Sequence, residues 1–289
     1  MATASEWLAG ARPRTLPAAV APVLVGTGAA AQVDAAHAGH ALLAAGVGLA
    51  LQVAVNFAND YSDGVRGTDV DRVGPLRLTA SGTAPPHQVR NAAFLAFAVA
   101  CALGMWLIVL TSAWWLIAVG VLCVVGAWTY TGGKRPYGYL GLGEVGVFVF
   151  FGLVAVLGTT YTQAGYVTWP AVLGAVAIGL LACALLMVNN LRDVPTDVLA
   201  GKRTLAVRIG DHRARRLYAV MVLLPILLGA LCAFAAPWSL LVLLLLAPAA
   251  ILAAGVLAGA RGIALVPVLG GTGLLELAFG MLLGLGLAL

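Results

Sequence analysis

The segment that decides the fold runs from Asn56 to Asp71 and reads NFANDYSDGVRGTDVD. It places four aspartates close together in a chain that has only 11 acidic residues in 289. A second segment, VNNLRDVPTDVLAGKRT from Val188 to Thr204, adds two more aspartates about 130 residues later. We call these segments the first and second windows. The six aspartates are Asp60, Asp63, Asp69, Asp71, Asp193 and Asp197.

The composition around the two windows is that of a membrane protein. Hydrophobic residues make up 62% of the chain and charged residues 9%, with a mean hydropathy of +1.02. Soluble domains carry about 25% charged residues. Apolar runs near 20 residues recur along the whole length, as helices that cross a bilayer require. The sequence therefore predicts an all-α polytopic membrane protein, formed by a single transmembrane domain over residues 1–289.

Hydropathy and length predict about nine transmembrane helices. The predicted spans are residues 15–32, 40–60, 88–110, 112–131, 143–162, 168–191, 214–235, 238–260 and 264–288. With a cytoplasmic N-terminus, the inner segments contain all 16 Lys and Arg residues and the outer loops contain none. This positive-inside pattern predicts that both windows are cytoplasmic and that the C-terminus is outside. It predicts a plasma (inner) membrane protein, and the short basic loops disfavour nucleic-acid binding.

Both windows have the pattern Val-Asn-x-x-x-Asp at the end of an apolar run. Residues at i, i+4 and i+7 or i+8 share one face of a helix, which groups Asn56 with Asp60 and Asp63. The same spacing groups Asn189 with Asp193 and Asp197, if the helix continues through Pro195. Carboxylate and amide oxygens suit Mg²⁺, which is usually held by one or two carboxylates and by substrate phosphates. Two such half-sites predict a clamp for a diphosphate, neutralised by the cations that follow each window, Arg72 and then Lys202 and Arg203.

The motifs of the chain resemble those of the UbiA-type membrane prenyltransferases. The resemblance lies in ARPRTLPAAVAPVLVG at the start, NDYSDGVRGTDVDRVGPLR from Asn59 to Arg77, YTGGKRPYGYLGLGE from Tyr130 to Glu144, and NNLRDVPTDVLAGKRTLAVRIG from Asn189 to Gly210. It is greatest to the members that act on 1,4-dihydroxy-2-naphthoate. The last three spans match no motif.

The resemblance implies a helical bundle around a central cavity and a Mg²⁺-dependent aromatic prenyltransferase. It would transfer a polyprenyl group from polyprenyl diphosphate to 1,4-dihydroxy-2-naphthoate in the bilayer, releasing CO₂ and diphosphate and giving demethylmenaquinone. The implied metal ligands are Asp60, Asp63, Asp193 and Asp197, with Asp69 or Asp71 in an outer position. The implied catalytic and substrate-binding residues also include Lys134, Tyr139, Asn56, Asn189, Arg72, Lys202, Arg203, Tyr130 and Tyr137.

Two alternatives stay open from the residues alone. One is a UbiA-type enzyme with another aromatic acceptor, such as 4-hydroxybenzoate, homogentisate or haem. The other is a cation-coupled transporter, which predicts acidic residues in mid-span. Only Glu276 is central in a span, whereas the aspartates lie at one face. The sequence predicts neither the prenyl chain length nor an oligomeric state.

Overall fold

A computed structural model describes residues 2–67 and 76–289 of the chain. The described residues form helices and connecting turns, without a strand. The α-helices are α1 (Ala4–Ala11), α2 (Pro17–Ala31), α3 (Ala38–Arg66), α4 (Pro86–Thr111), α5 (Leu116–Thr129), α6 (Gly143–Val147), α7 (Ala155–Ala164), α8 (Trp169–Leu199), α9 (Leu205–Ile209), α10 (Asp211–Leu231), α11 (Leu246–Leu257) and α12 (Leu265–Ala288).

Two of the transmembrane segments contain stretches of seven or more residues in another helix type. A π-helical stretch, Phe148–Val154, joins α6 to α7, so that Gly143–Ala164 forms one apolar segment. A 3₁₀ stretch, Pro237–Leu245, leads into α11. The all-helical membrane architecture is confirmed.

The count of nine spans is not confirmed. Seven helical segments in the described ranges are long and apolar enough to cross a membrane. The two others, α2 and α5, are apolar but have 15 and 14 residues, short of the ~20 that a bilayer core requires. They lie where the first and fourth spans are predicted.

Helix α8 occupies the centre of the bundle. In its most apolar window 67% of the residues are buried, whereas 28% are buried in the corresponding window of α4. The outer helices turn large apolar side chains outward, as lipid contact requires. Examples are Trp106, Leu110, Val121, Leu244 and Ile251. The second window is thus carried by the most buried of the seven long apolar segments.

Helices α2 and α12 pack closely because glycines face each other. A Cβ atom on Gly284 would lie 2.5 Å from the Leu24 carbonyl oxygen, and one on Gly280 would lie 2.8 Å from Ala21 Cα. The Gly280-x-x-x-Gly284 spacing is that of a small-residue helix contact. This contact closes the bundle between its first and last long helices.

Candidate active site

Residues 56–66 of the first window form the C-terminal part of α3. Its helix continues past the predicted end at residue 60 to Arg66 and ends at Gly67, which has φ of 70°. A residue with a Cβ atom is strained there, so glycine is the favoured terminator. Asn56, Asp60 and Asp63 are all buried on this helix. Their predicted common stripe is therefore present.

Asp60 binds the backbone of the segment that follows the first window. Its Oδ2 accepts the Leu78 amide and its Oδ1 accepts the Thr79 amide, both at 2.8 Å. A carboxylate that accepts two backbone N–H groups fixes the turn at residues 78–80 against α3. Each oxygen keeps a lone pair for a further ligand.

Asn56 is turned toward the N-terminal segment. Its amide donates to the Ala11 carbonyl at 2.9 Å and to Thr15 Oγ1 at 3.0 Å, and its oxygen accepts Gln52 at 3.3 Å. Both donor hydrogens are used, so Asn56 joins α3 to the start of the chain. Its predicted contact with substrate stays a prediction.

Residues 188–199 of the second window form the C-terminal part of α8, which continues through Pro195 to Leu199. Asp193 and Asp197 are buried. Arg192 binds Asp193 with two parallel bonds, of 2.7 Å from Nε and 2.8 Å from Nη2, and Nη2 also donates to Asn189 Oδ1 at 2.8 Å. The side chains of Arg192 and Asp193 are each 4% exposed, so the pair is largely removed from water. The guanidinium orients the carboxylate and amide oxygens of this window together.

The two windows meet at Asp63. Lys202 Nζ lies 3.5 Å from Asp63 Oδ2, and the Tyr139 hydroxyl donates to Asp63 Oδ1. The Tyr139 ring also lies 4.8 Å from Lys202 Nζ, and its carbonyl accepts the Arg203 amide at 2.9 Å. Residues 139 positions apart in sequence are therefore in contact at one end of the bundle. The structure brings together the first window, the 130–144 loop and the GKRT segment.

The predicted loop residues take different positions. Tyr130 and Tyr137 are half-buried and stack edge to face, with ring centroids 5.4 Å apart. Burial raises the pKa of Tyr137 to about 12, so its hydroxyl stays protonated at neutral pH. Lys134 is exposed and has no hydrogen bond or ion pair to residues 2–67 or 76–289. Arg203 is also exposed.

Several predicted residues lie outside the described ranges. Asp69, Asp71 and Arg72 belong to residues 68–75, so their predicted roles stay predictions.

Sequence reasoning assigned no role to Arg192 or Arg66. The sequence signal for a role of Arg192 was its position inside the NNLRD motif. Arg66 donates to the carbonyls of Thr131 and Gly133, which fixes the 130–144 loop to the end of α3. Its guanidinium carbon lies 5.5 Å from the Tyr139 ring centroid.

The donor atoms of the site suit a hard divalent cation. Asp63, Asn189, Asp193 and Asp197 offer only oxygen ligands, as Mg²⁺ prefers. Among the described residues no three His, Cys, Asp or Glu side chains come close enough to enclose a metal by themselves. This fits Mg²⁺ that completes its shell with substrate phosphate oxygens and water.

The fold is shared with solved membrane proteins of one kind. A UbiA homologue from Aeropyrum pernix K1 superposes with a TM-score of 0.71 at 17% identity, over 93% of this chain and 96% of that one. A UbiA homologue from Archaeoglobus fulgidus, bound to DMAPP and Mg²⁺, gives 0.68 at 16% identity, over 96% and 98%. The fold of the bundle is thus that of the solved UbiA homologues.

Sequence relationships are closer. The UbiA prenyltransferase family matches residues 19–262. A Mycobacterium tuberculosis protein named 1,4-dihydroxy-2-naphthoate octaprenyltransferase is 54% identical over 97% of this chain and 96% of its own length. The chain belongs to the UbiA prenyltransferase family.

Proposed function

We propose that this protein transfers a polyprenyl group from an allylic polyprenyl diphosphate to 1,4-dihydroxy-2-naphthoate. CO₂ and diphosphate are released and demethylmenaquinol, the reduced form of demethylmenaquinone, is formed. The observation that carries the proposal is the contact of Asp63 with Lys202 and Tyr139, which joins the two windows at one site. The name and 54% identity of the mycobacterial relative support the choice of acceptor.

We assign Lys202 to the binding of the diphosphate. Its ammonium lies 3.5 Å from Asp63, with side chains 8% and 5% exposed, so the pair is largely shielded from solvent. A diphosphate oxygen that approaches this cation gains a poorly screened attraction. The segment after α8 supplies Arg203 beside it, and Arg72 is assigned to the same anion by the family resemblance.

We assign the acidic residues to the cation that accompanies a diphosphate. Asp63, Asp193 and Asp197, with Asn189, would bind Mg²⁺, and Asp60 would do so with its remaining lone pairs. The metal supplies charge neutralisation of the leaving diphosphate. The DMAPP and Mg²⁺ bound to the A. fulgidus homologue support this assignment.

The protein's own groups orient the reactants and exclude water. Arg192 holds Asp193 and Asn189 in one orientation before substrate arrives, which reduces the reorganisation needed during reaction. Tyr139 connects Asp63 to the 130–144 loop, so that this loop lies over the junction of the windows. Exclusion of water there protects an allylic cation from hydrolysis. The aromatic ring then attacks C1 of the prenyl group as the bond to diphosphate breaks.

Product analysis tests this function. Membranes containing the protein are incubated with Mg²⁺, an isotope-labelled polyprenyl diphosphate and 1,4-dihydroxy-2-naphthoate, and lipids are analysed by mass spectrometry. We expect labelled demethylmenaquinol, or demethylmenaquinone where air has oxidised it during extraction. Labelled product with 4-hydroxybenzoate or homogentisate, and none with the naphthoate, would instead indicate another acceptor.

We further propose that the protein lies in the plasma membrane with its N-terminus and both windows cytoplasmic. The distribution of all 16 Lys and Arg residues supports this orientation. In a variant without the four native cysteines, new cysteines at Lys134 and Leu199, both exposed, should react with a membrane-impermeant maleimide only from the cytoplasmic side. A new cysteine at Asp34 should react only from outside. Labelling of Lys134 and Leu199 from opposite sides would contradict the shared site.

A further inference from the structure

A buried glutamate begins the fifth apolar segment of the chain. Glu144 stands in the first turn of α6 and is 5% exposed. Helix α8 holds it at two points. Cys183 Sγ donates to its carbonyl oxygen at 3.1 Å, and Asn190 Nδ2 donates to Oε1 at 3.1 Å. Its position is thus fixed by the same helix that carries the second window.

The second carboxylate oxygen of Glu144 lacks a hydrogen bond in the described ranges. Oε2 is buried and has no hydrogen-bond partner among residues 2–67 and 76–289. A buried polar atom without a partner costs free energy, and such atoms are few in folded proteins. The cost is offset if a ligand supplies the missing hydrogen bond. An acceptor oxygen such as this one fits a hydroxyl group.

The surroundings of Glu144 belong to the candidate active site. Asn190, Asp193 and Asp197 are spaced i, i+3 and i+7, which places them on one face of α8. The residue that holds Glu144 is therefore a neighbour of the two aspartates. On the other side, a Cβ atom on Gly143 would lie 3.4 Å from the Tyr130 hydroxyl. Glu144 lies between the second window and the aromatic residues of the 130–144 loop.

A second buried glutamate makes an instructive contrast. Both oxygens of Glu276 on α12 also have no partner in the described ranges. Glu276 has no exposed surface, however, and its helix neighbours Gly273 and Gly280 pack against Arg14 and Ala21. Glu276 is enclosed between helices, whereas Glu144 is 5% exposed and is held by Asn190, one turn before Asp193 on α8.

We propose that Glu144 Oε2 accepts the hydrogen bond of a ring hydroxyl of the aromatic acceptor and serves as the general base of the transfer. This inference rests on the proposed prenyl transfer to a hydroxynaphthoate. The ring carbon that carries the carboxylate bonds to C1 of the prenyl group as the C1–oxygen bond to diphosphate breaks. The neighbouring hydroxyl gives its proton to Oε2, which leaves a ring ketone.

The remaining step returns the proton. The carboxylate group, now next to the ketone, leaves as CO₂, and its bonding electron pair restores the aromatic ring. The ketone oxygen becomes a hydroxyl again as it takes back the proton from Oε2. Glu144 ends in its starting state, and no further reactant is needed.

The variant Glu144→Gln removes the proposed general base and keeps the hydrogen bond to Asn190. Glutamine preserves the side-chain length and an oxygen for the Asn190 bond, but it cannot take a proton. We expect kcat to fall by about 10²–10⁴-fold, the usual range for a general base. KM for the polyprenyl diphosphate should change by less than about twofold, since the diphosphate contacts are intact. A fall in kcat below about fivefold would overturn the proposal.

An acceptor with a more acidic hydroxyl separates a base from a structural residue. Fluorinated dihydroxynaphthoate should recover at least about tenfold of the loss in Glu144→Gln, because a hydroxyl that is already ionised needs no base. Equal effects of fluorine on wild type and variant would contradict a role in proton transfer. Glu276→Gln, the other buried carboxylate, is the matched control and should keep wild-type kcat.

A second variant tests the proposal if Glu144→Gln fails to insert into the membrane. Asn190→Ala keeps the carboxylate and frees its anchor, so kcat should fall by about tenfold while the fluorinated acceptor gives less recovery than in Glu144→Gln. Wild-type kcat in Asn190→Ala would overturn the proposed positioning. If the wild-type protein makes no prenylated naphthoate, the proposed function fails; if it does and Glu144→Gln matches it, this inference alone fails.

Discussion

The two windows have the same sequence pattern and hold their aspartates in different ways. Asp60, in the first window, binds two neutral backbone amides. Asp193, its counterpart in the second, binds the buried guanidinium of Arg192. The accompanying asparagines differ too, because Asn56 binds the N-terminal segment and Asn189 binds Arg192. The repeated pattern therefore places an aspartate at the same helical position in both windows, whereas the contacts that support it differ.

The largest effect is expected when the divalent cation that both windows are proposed to bind is removed. If the aspartates act on a diphosphate only through a divalent cation, EDTA should abolish prenyl transfer, and added Mg²⁺ or Mn²⁺ should restore it. Turnover is measured as labelled quinone formed by membranes with and without chelator. Full activity in metal-free buffer would mean that the carboxylates of the two windows do not need a metal.

The second prediction uses stability to separate the windows. Asp193→Asn leaves the Arg192 charge buried without a counter-charge, and such a loss typically costs about 3–5 kcal/mol. Asp60→Asn sets an amide donor against a backbone N–H, a cost of about 1–3 kcal/mol. Thermal unfolding in detergent should therefore show a larger fall in Tm for Asp193→Asn.

A double variant sharpens that comparison. Arg192→Gln combined with Asp193→Asn should recover part of the Tm lost in Asp193→Asn, because the unpaired charge is gone, but it should not recover activity. Asp34→Asn is the control and should be silent, since Asp34 is exposed and its φ of 56° suits asparagine. A greater loss of Tm in Asp60→Asn than in Asp193→Asn would contradict the assigned partners.

The smallest effect is expected at Tyr139, which contacts Asp63 in the first window and Lys202 in the second. Tyr139→Phe keeps the ring beside Lys202 and Arg66 but removes the hydroxyl bond to Asp63. A hydrogen bond to a charged group is worth about 1.5–3 kcal/mol, so we expect kcat/KM for the polyprenyl diphosphate to fall by about 10–100-fold. Tyr161→Phe is the matched control, because Tyr161 lies near the C-terminus of α7 and beside the start of α3. Tyr139, in contrast, contacts Asp63 near the end of α3. Unchanged kinetics in Tyr139→Phe would show that Asp63 needs no support from the loop.

Much of this arrangement is predictable from sequence, and the missing parts have physical reasons. Hydropathy places every apolar helix, but it ends α3 and α8 too early, because the helices continue where apolar residues stop. The stripes of Asn and Asp are correct because they depend only on helical spacing.

The partners of the aspartates were not predictable. Asp60 binds amides 18 and 19 residues away, through a turn that no local pattern specifies. Arg192 and Asp193 are adjacent on a helix and do not face each other by spacing alone. The long arginine side chain reaches around to its neighbour, which only coordinates reveal. Glu144 shows the same limit, because its motif was visible and its anchor on Asn190 was not.

The central claim, one diphosphate held by both windows, is tested most directly by a double-mutant cycle. Asp60→Asn and Asp193→Asn should each lower kcat by about 10²–10³-fold, as expected when an electrostatic contact to the transition state is lost. Groups that act as a unit are strongly non-additive. We therefore expect kcat of the double variant to lie at most about tenfold below kcat of the less active single variant. A loss equal to the product of the two single losses, about 10⁴–10⁶-fold, would show that the windows act independently and would contradict the shared site.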